Sequence, residues 1–269
     1  MALPKALITA GNGRNCEAET RYAFHLGGSD PEIIYIYDIL ENPKIMQDYH
    51  MLALIGGFHD GDHLGAGKTE ALLYKHKLWE PFMRFIESGK PVICICNGFQ
   101  AAVKMGILPA FNGEYGVQTA TLMNNDSGIF EDRWVHLNFN KNSKCIWTKG
   151  LESIFVPVRH GEGKYYAEQP LVKKLFDKNQ VVAQYVDETG RPTMEYPKNP
   201  NGSLEAIAGI CDEKGTIFGL MPHPEAFLSP YNHPSWTRDV ALGKKLPKEG
   251  PGVQVFRNAV QYVNESLMP

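Results

Sequence analysis

The chain has 269 residues, 43% of them hydrophobic and 21% charged, enough for one large α/β domain to bury its own core without disulfide or metal staples. A formal net charge of -3 leaves no basic surplus for gripping phosphate backbones, so composition gives a nucleic-acid role no support. Five cysteines, at 16, 94, 96, 145 and 211, are odd in number and lack C-x-x-C spacing, which fits reduced cytosolic thiols better than a disulfide framework or a zinc site. The first apolar run lacks a basic flank, and no later one approaches about 18 residues, so a soluble, unexported, cytoplasmic protein without membrane contact is expected.

Residues 5–10 read as a buried strand ending at Gly11-Asn12-Gly13, followed by a helix over about 16–26 and a second strand over 33–37. A third strand over 51–55 ends at Gly56-Gly57. A long helix over about 69–87 then leads to the apolar run 92–95, Cys96 and a helix through Met105. Strand, helix and strand at this spacing predict a parallel sheet, whose ligands gather beyond the carboxyl ends of the strands. The second half alters: short alternating runs at 118–123, 134–139, 143–148 and 154–158 predict antiparallel additions, and strands continue at 181–186, 206–211 and 216–221. Pro222-His223-Pro224-Glu225 follows. Residues 229–252 are rich in Pro and Gly and read as a long loop-like extension, and 253–267 close the chain as an amphipathic helix. No repeat or linker interrupts it, so a single domain over 1–269 is expected.

Cys96 lies where a buried strand runs into Asn97-Gly98 and a helix. Those two residues tolerate the dihedrals that lift a side chain clear of a sheet, as in a nucleophile elbow with cysteine in place of serine. A buried core cysteine is the plainer alternative. A nucleophilic thiol needs a base, and the base an orienting group. His223 and Glu225 stand two apart directly after a strand, between prolines that restrict the backbone, and complete a Cys-His-Glu triad. Backbone N–H groups at Gly57 and at Asn97, the residue after the nucleophile, are candidate oxyanion donors; the competing reading of Gly56-Gly57 is a tight turn. Gly65-Ala-Gly-Lys-Thr69 imitates the end of a phosphate-binding loop, but Asp62 stands where that pattern needs glycine. A glycine-rich entry to a helix capped by Thr69 is preferred. His59-Asp60-Gly61-Asp62-His63 lacks a further cluster at metal-ligand spacing, so a polar loop is preferred and no metal is assigned.

Across most of its length the chain resembles a known family through Gly56-Gly-Phe-His-Asp-Gly-Asp62, Gly89-Lys-Pro-Val92, Ile95-Cys-Asn-Gly-Phe-Gln100, Arg133-Trp-Val135, His160-Gly-Glu-Gly-Lys-Tyr165, Asn199-Pro-Asn-Gly-Ser203 and Met221-Pro-His-Pro-Glu225. The family is that of the glutaminase subunit (PurQ) of phosphoribosylformylglycinamidine synthase, a class I glutamine amidotransferase of purine biosynthesis. The resemblance implies a flavodoxin-like, mostly parallel sheet flanked by helices with added antiparallel strands. It implies that Cys96 attacks the glutamine side-chain amide, His223 shuttles the proton to departing ammonia, Glu225 positions His223, and a glutamyl thioester is hydrolysed. Gly56, Phe58, Gln100, Arg133, Trp134, His160, Glu162 and Asn201 are carried over as substrate-side or partner-facing positions. The implied partners are a large ATP-dependent synthetase subunit (PurL type), which would use the ATP and Mg, and a small bridging subunit (PurS type); this chain would bind no cofactor. Two places depart from the family pattern. Cys94 stands where the elbow commonly has glycine, and His59-Asp60-Gly61-Asp62-His63 replaces the usual Ser-Tyr-Gly-Asp-Tyr. The alternatives are a stand-alone γ-glutamyl hydrolase or peptidase, a non-catalytic regulatory module on the same fold and, more remotely, a P-loop phosphotransferase.

Overall fold

A nine-stranded sheet frames residues 2–268, the part of the chain described by the computed structural model. In chain order the elements begin with β1 (Lys5–Ala10), α1 (Glu17–Gly27), β2 (Asp30–Tyr35), α2 (Ile36–Glu41), β3 (Met51–Leu54), α3 (Lys68–Leu73), α4 (Trp79–Glu87), β4 (Val92–Ile95) and α5 (Asn97–Met105). The second half holds β5 (Ala120–Met123), β6 (Glu131–Phe139), β7 (Ser153–His160), β8 (Lys164–Ala167), α6 (Gln169–Asp177), β9 (Val181–Val186), β10 (Ile207–Cys211), β11 (Ile217–Leu220), α7 (Trp236–Ala241) and α8 (Val253–Ser266). The sheet order is β2-β1-β3-β4-β11-β10-β9-β6-β7, with β5 and β8 forming a separate pair.

From β2 to β11 the neighbours run parallel, and from β11 to β7 every pairing is antiparallel. The difference follows from sequence: β3, β4 and β11 are apolar and buried at every residue, as strands covered on both faces must be, whereas β6 alternates buried and more exposed positions. Registers Leu54↔Cys94 and Gly219↔Cys94 align the carboxyl ends of β3, β4 and β11, so the turns after them open on one rim. Helix α1 packs on α8 through Phe24 and Phe256, whose rings meet edge-on at 5.0 Å, with Trp147 against the same Phe24.

Four expectations need correction. Residues 143–148 form no strand. Ile146 N–H bonds Gly215, Trp147 Nε1 bonds Thr216 O, and Asn258 reaches back to the carbonyls of Trp147 and Lys149, so the alternation there reflects packing beneath α8. The helix expected over 69–87 is divided into α3 and α4 by a π-type turn at 74–78, whose last residue, Leu78, leaves helical geometry with φ -121°. The strand expected over 33–37 lies at 30–35 and passes directly into α2. Thr69 is not a cap: α3 starts at Lys68 behind Gly67, whose N–H donates to Asp62 Oδ1 at 3.1 Å. The elements β8 and α6 were not anticipated, and residues 229–252 contain the short helix α7 within otherwise irregular chain.

Candidate active site

Cys96 follows β4 with φ 52° and ψ -107°, a region that residues with a Cβ avoid. The strain is held from both sides. Cys96 N–H donates to Leu220 O of β11 at 2.9 Å, and Gly98 N–H donates to Ile55 O beyond β3 at 3.1 Å. The bend raises the thiol out of the sheet into a cavity of about 110 Å³ lined by Gly57, Phe58, Asp62, Ala66, Gln100, Phe130, Arg159, His160, Gly161 and Glu162. That volume is well below the roughly 300 to 1,000 Å³ of a drug-sized site and matches the scale of one amino-acid side chain. Larger hollows, such as one of about 600 Å³ lined by residues 140–152, do not include Cys96 among their walls. Cys94, two residues earlier, is fully buried, and burial together with the Glu70 charge drives its thiol well above the usual cysteine range.

His223 and Glu225 are joined by a 2.6 Å hydrogen bond between Nδ1 and Oε1, and both are almost fully buried. The turn that carries them is tied to the antiparallel half of the sheet by a 2.9 Å bond from His223 N–H to Pro157 O of β7. Burial opposes the charged ring, yet the Glu225 carboxylate and then Cys96 outweigh it and carry His223 well above the usual histidine range. The Nε2 atom is buried and has no hydrogen-bond partner among the described residues. In the same structure the Cys96 thiol donates to Arg159 O at 3.5 Å. Thiol and ring meet at Gly56: a Cβ there would stand 2.8 Å from His223 Cε1, 3.0 Å from Cys16 Sγ and 3.5 Å from Cys96 Cβ. Only glycine leaves room for the imidazole to lie beside the nucleophile. Cys16 is thus a neighbour that sequence reasoning missed, 4.0 Å from His223 Nδ1, its thiol raised chiefly by burial.

Gly57 follows with φ 137°, and a Cβ on it would lie 2.6 Å from Arg14 Cα. Neither its N–H nor that of Asn97 donates to another group among the described residues, and Asn97 opens α5, where backbone donors are free to receive negative charge. The Asn97 side chain accepts from His59 N–H at 3.1 Å and donates to Asp62 and to Gln100 Oε1. Gln100 Nε2 donates to Glu162 O at 2.6 Å, and Glu162 accepts from Ala66 N–H at 3.3 Å. Asp62 Oδ1 also accepts from Gly67 N–H, so the loop that resembles a phosphate cradle turns one of its backbone donors on a carboxylate of this chain.

The remaining positions separate into two groups. Phe58, Gln100, His160 and Glu162 line the cavity. Asn201 lies behind it, 3.4 Å from His160 Nε2 and donating to the Tyr185 hydroxyl, while Asn125 holds His160 Nδ1 at 3.2 Å. Burial, reinforced by the positive His223, pushes His160 down to about 3, so it is a neutral wall at ordinary pH. Arg133 and Trp134 do not line the cavity: Arg133 pairs with Glu131 and stands over the Tyr196 ring, and Trp134 packs on Phe155, Phe227 and His233. For a metal, the one set of three donors among the described residues is Cys16, His223 and Glu225, within 4.8 Å of one another; the atoms of the latter two already face each other across a hydrogen bond.

The profile of the CobB/CobQ-like glutamine amidotransferase domain matches residues 3–263. The phosphoribosylformylglycinamidine synthase subunit PurQ of Dehalococcoides mccartyi is 44% identical over 265 residues, covering 98% of this chain and 100% of that one. The chain belongs to the PurQ family of glutamine amidotransferases. A Methanococcus maripaludis PurQ is 39% identical over 269 residues, covering 98% of each chain. Among solved structures, that of PurLQS from Thermotoga maritima superposes with a TM-score of 0.71 at 28% identity, over 97% of this chain and 99% of that one. The fold is accordingly that of the class I amidotransferases, with the parallel sheet and antiparallel additions described above.

Proposed function

We propose that this chain is the glutaminase subunit of a phosphoribosylformylglycinamidine synthase, releasing ammonia from glutamine for a synthetase partner in purine biosynthesis. The supporting observation is a strained cysteine beside a buried His-Glu pair, in a chain whose near full-length relatives are PurQ subunits. Cys96 would leave the Arg159 carbonyl, lie beside the protonated His223 as the thiolate of a thiolate–imidazolium pair, with its proton on Nε2, and attack the side-chain amide carbon. The tetrahedral oxyanion would be met by the N–H groups of Gly57 and Asn97. Protonated His223, steadied by Glu225, would give the proton to the leaving nitrogen, and ammonia departs as the glutamyl thioester forms. Water activated by the same imidazole then releases glutamate.

Gln100, Glu162, His160 and Phe58 are assigned to the wall around the substrate. Phe58 and Phe130 stand at the cavity, 45% and 49% exposed, with ring centroids 6.1 Å apart. An apolar pair at a catalytic mouth fits closure by a partner surface. We assign that role to subunits of the PurL and PurS type, with ATP and Mg handled by the large one and no cofactor held here. A cytoplasmic setting follows from that pathway. No helix among the described residues is long and apolar enough to cross a membrane. Residues 1–269 are taken as one amidotransferase domain.

The test is Cys96→Ala in the reconstituted complex. Glutamine-dependent amidination should fall by at least about 10³-fold while amidination with added ammonia persists. Glutamine use at the unaltered rate refutes the assignment.

A further inference from the structure

The loop His59-Asp60-Gly61-Asp62-His63 and a buried ion pair between Arg14 and Glu70 lie outside the thiol chemistry, yet both bear on the backbone that carries Gly57. Arg14 and Glu70 form an ion pair with both side chains 0% exposed. Arg14 Nη1 also donates to Thr9 O at 2.8 Å and to Thr9 Oγ1 at 2.6 Å, and its Nε donates to His59 Nδ1 at 3.3 Å. One guanidinium therefore joins the end of β1, helix α3 and the loop after β3. The backbone beside it holds the same loop: Phe58 N–H donates to Gly13 O at 2.7 Å and Asp60 N–H to Asn12 O at 2.9 Å.

On the opposite side Asn97 accepts from His59 N–H and donates to the Asp62 carboxylate. The loop is thus clamped between Arg14 and the residue whose own N–H faces the nucleophile's turn. Because Arg14 donates, His59 Nδ1 must be an acceptor, which leaves the ring proton on Nε2, 3.5 Å from Asp60 Oδ2. Burial is the main influence that keeps this ring below the usual histidine range and hence neutral. A buried pair of charges is a poor source of stability, since desolvation offsets its attraction, but its fork geometry fixes whatever it touches.

We propose that Arg14, held by Glu70, is a positioning residue for the oxyanion site: through His59 and the 12–14 backbone it sets the Gly57 N–H so that this donor and the Asn97 N–H converge on one oxygen. The proposal rests on the glutaminase reading above. Its test is the paired replacement Arg14→Met with Glu70→Met, which leaves no lone buried charge, measured in the reconstituted complex. The kcat for glutamine should fall about 10- to 100-fold, less than the outright loss of an oxyanion donor, with KM changed by no more than about twofold. Alkylation of Cys96 by iodoacetamide, a displacement that forms no oxyanion, should keep its unaltered rate. Arg14→Lys, which retains a cation beside Glu70 but loses the Nε bond to His59, should show the same split and serves if the paired variant does not fold. Unaltered kcat in a folded variant, or alkylation slowed in proportion to glutamine hydrolysis, overturns the proposal. The glutaminase reading stands or falls separately, on glutamine turnover by the unaltered complex and its loss in Cys96→Ala.

Discussion

The five parallel strands and the four antiparallel ones contribute to the candidate site in different ways. The parallel half works through backbone: Gly57 at φ 137°, Cys96 at φ 52° and the proline-flanked His223 all leave the ends of fully buried strands. The antiparallel half works through walls: β7 and the turn before β8 bring Arg159, His160, Gly161 and Glu162 around the thiol, and Pro157 O holds the turn of His223. The first half sets which bond can be attacked and the second sets what fits beside it. Damage to the first should appear mainly in kcat, and damage to the second in stability or substrate binding.

Replacing Glu225 with Gln should sharpen that contrast most. The isostere leaves the turn intact but removes the charge that raises His223, so kcat for glutamine should fall on the order of 10³-fold with the melting temperature little altered. Gly56→Ala comes next, with a kcat loss of about 10²-fold, because its methyl would stand 2.8 Å from His223 Cε1 and must push the ring off the nucleophile. Steady-state kinetics of the reconstituted complex checks both.

In the antiparallel half, His160 holds its native value near 3 against 6.5 for an ordinary histidine, so the unfolded chain binds a proton that the folded chain refuses. Its contribution to stability is complete above about pH 6.5 and is lost as pH falls toward 3, by at most about 1.4 kcal/mol per pH unit. Denaturant titrations of His160→Gln should show a correspondingly flatter acid limb; an unchanged slope would place the ring in solvent. Least of all, Lys141→Ala, which breaks an exposed 2.7 Å pair with Glu152 between β6 and β7, should leave the denaturation midpoint essentially unaltered.

The two halves also differed in how plainly they could be read from sequence. Val92 to Ile95 is uniformly apolar and Asn97-Gly98 follows directly, so the strand, the bend and the raised thiol were all visible, as were His223 and Glu225 between their prolines. Residues 143–148 misled because Cys145 and Trp147 both turn inward, Cys145 toward Cys211 and Trp147 toward Thr216 O and Phe24, without pairing as a strand. Lys164–Ala167 escaped notice because a strand of four residues paired with only one neighbour needs little apolar length. Arg133 and Trp134 belong to the recognised motifs but point to Tyr196 and Phe227, a direction that linear order does not encode. Arg14, Cys16 and Glu70 were invisible for a related reason: each lies 40 or more positions from the partner that gives it meaning.

The dihedrals at position 96 carry an evolutionary corollary. Glycine would occupy that bend without the penalty of roughly 1 to 3 kcal/mol that a side chain incurs there. A Cys96→Gly descendant would shed that strain together with the thiol, so selection on backbone strain alone would erase the reactive sulfur. Its retention in a lineage would record selection for turnover acting against the chain's own thermodynamic preference.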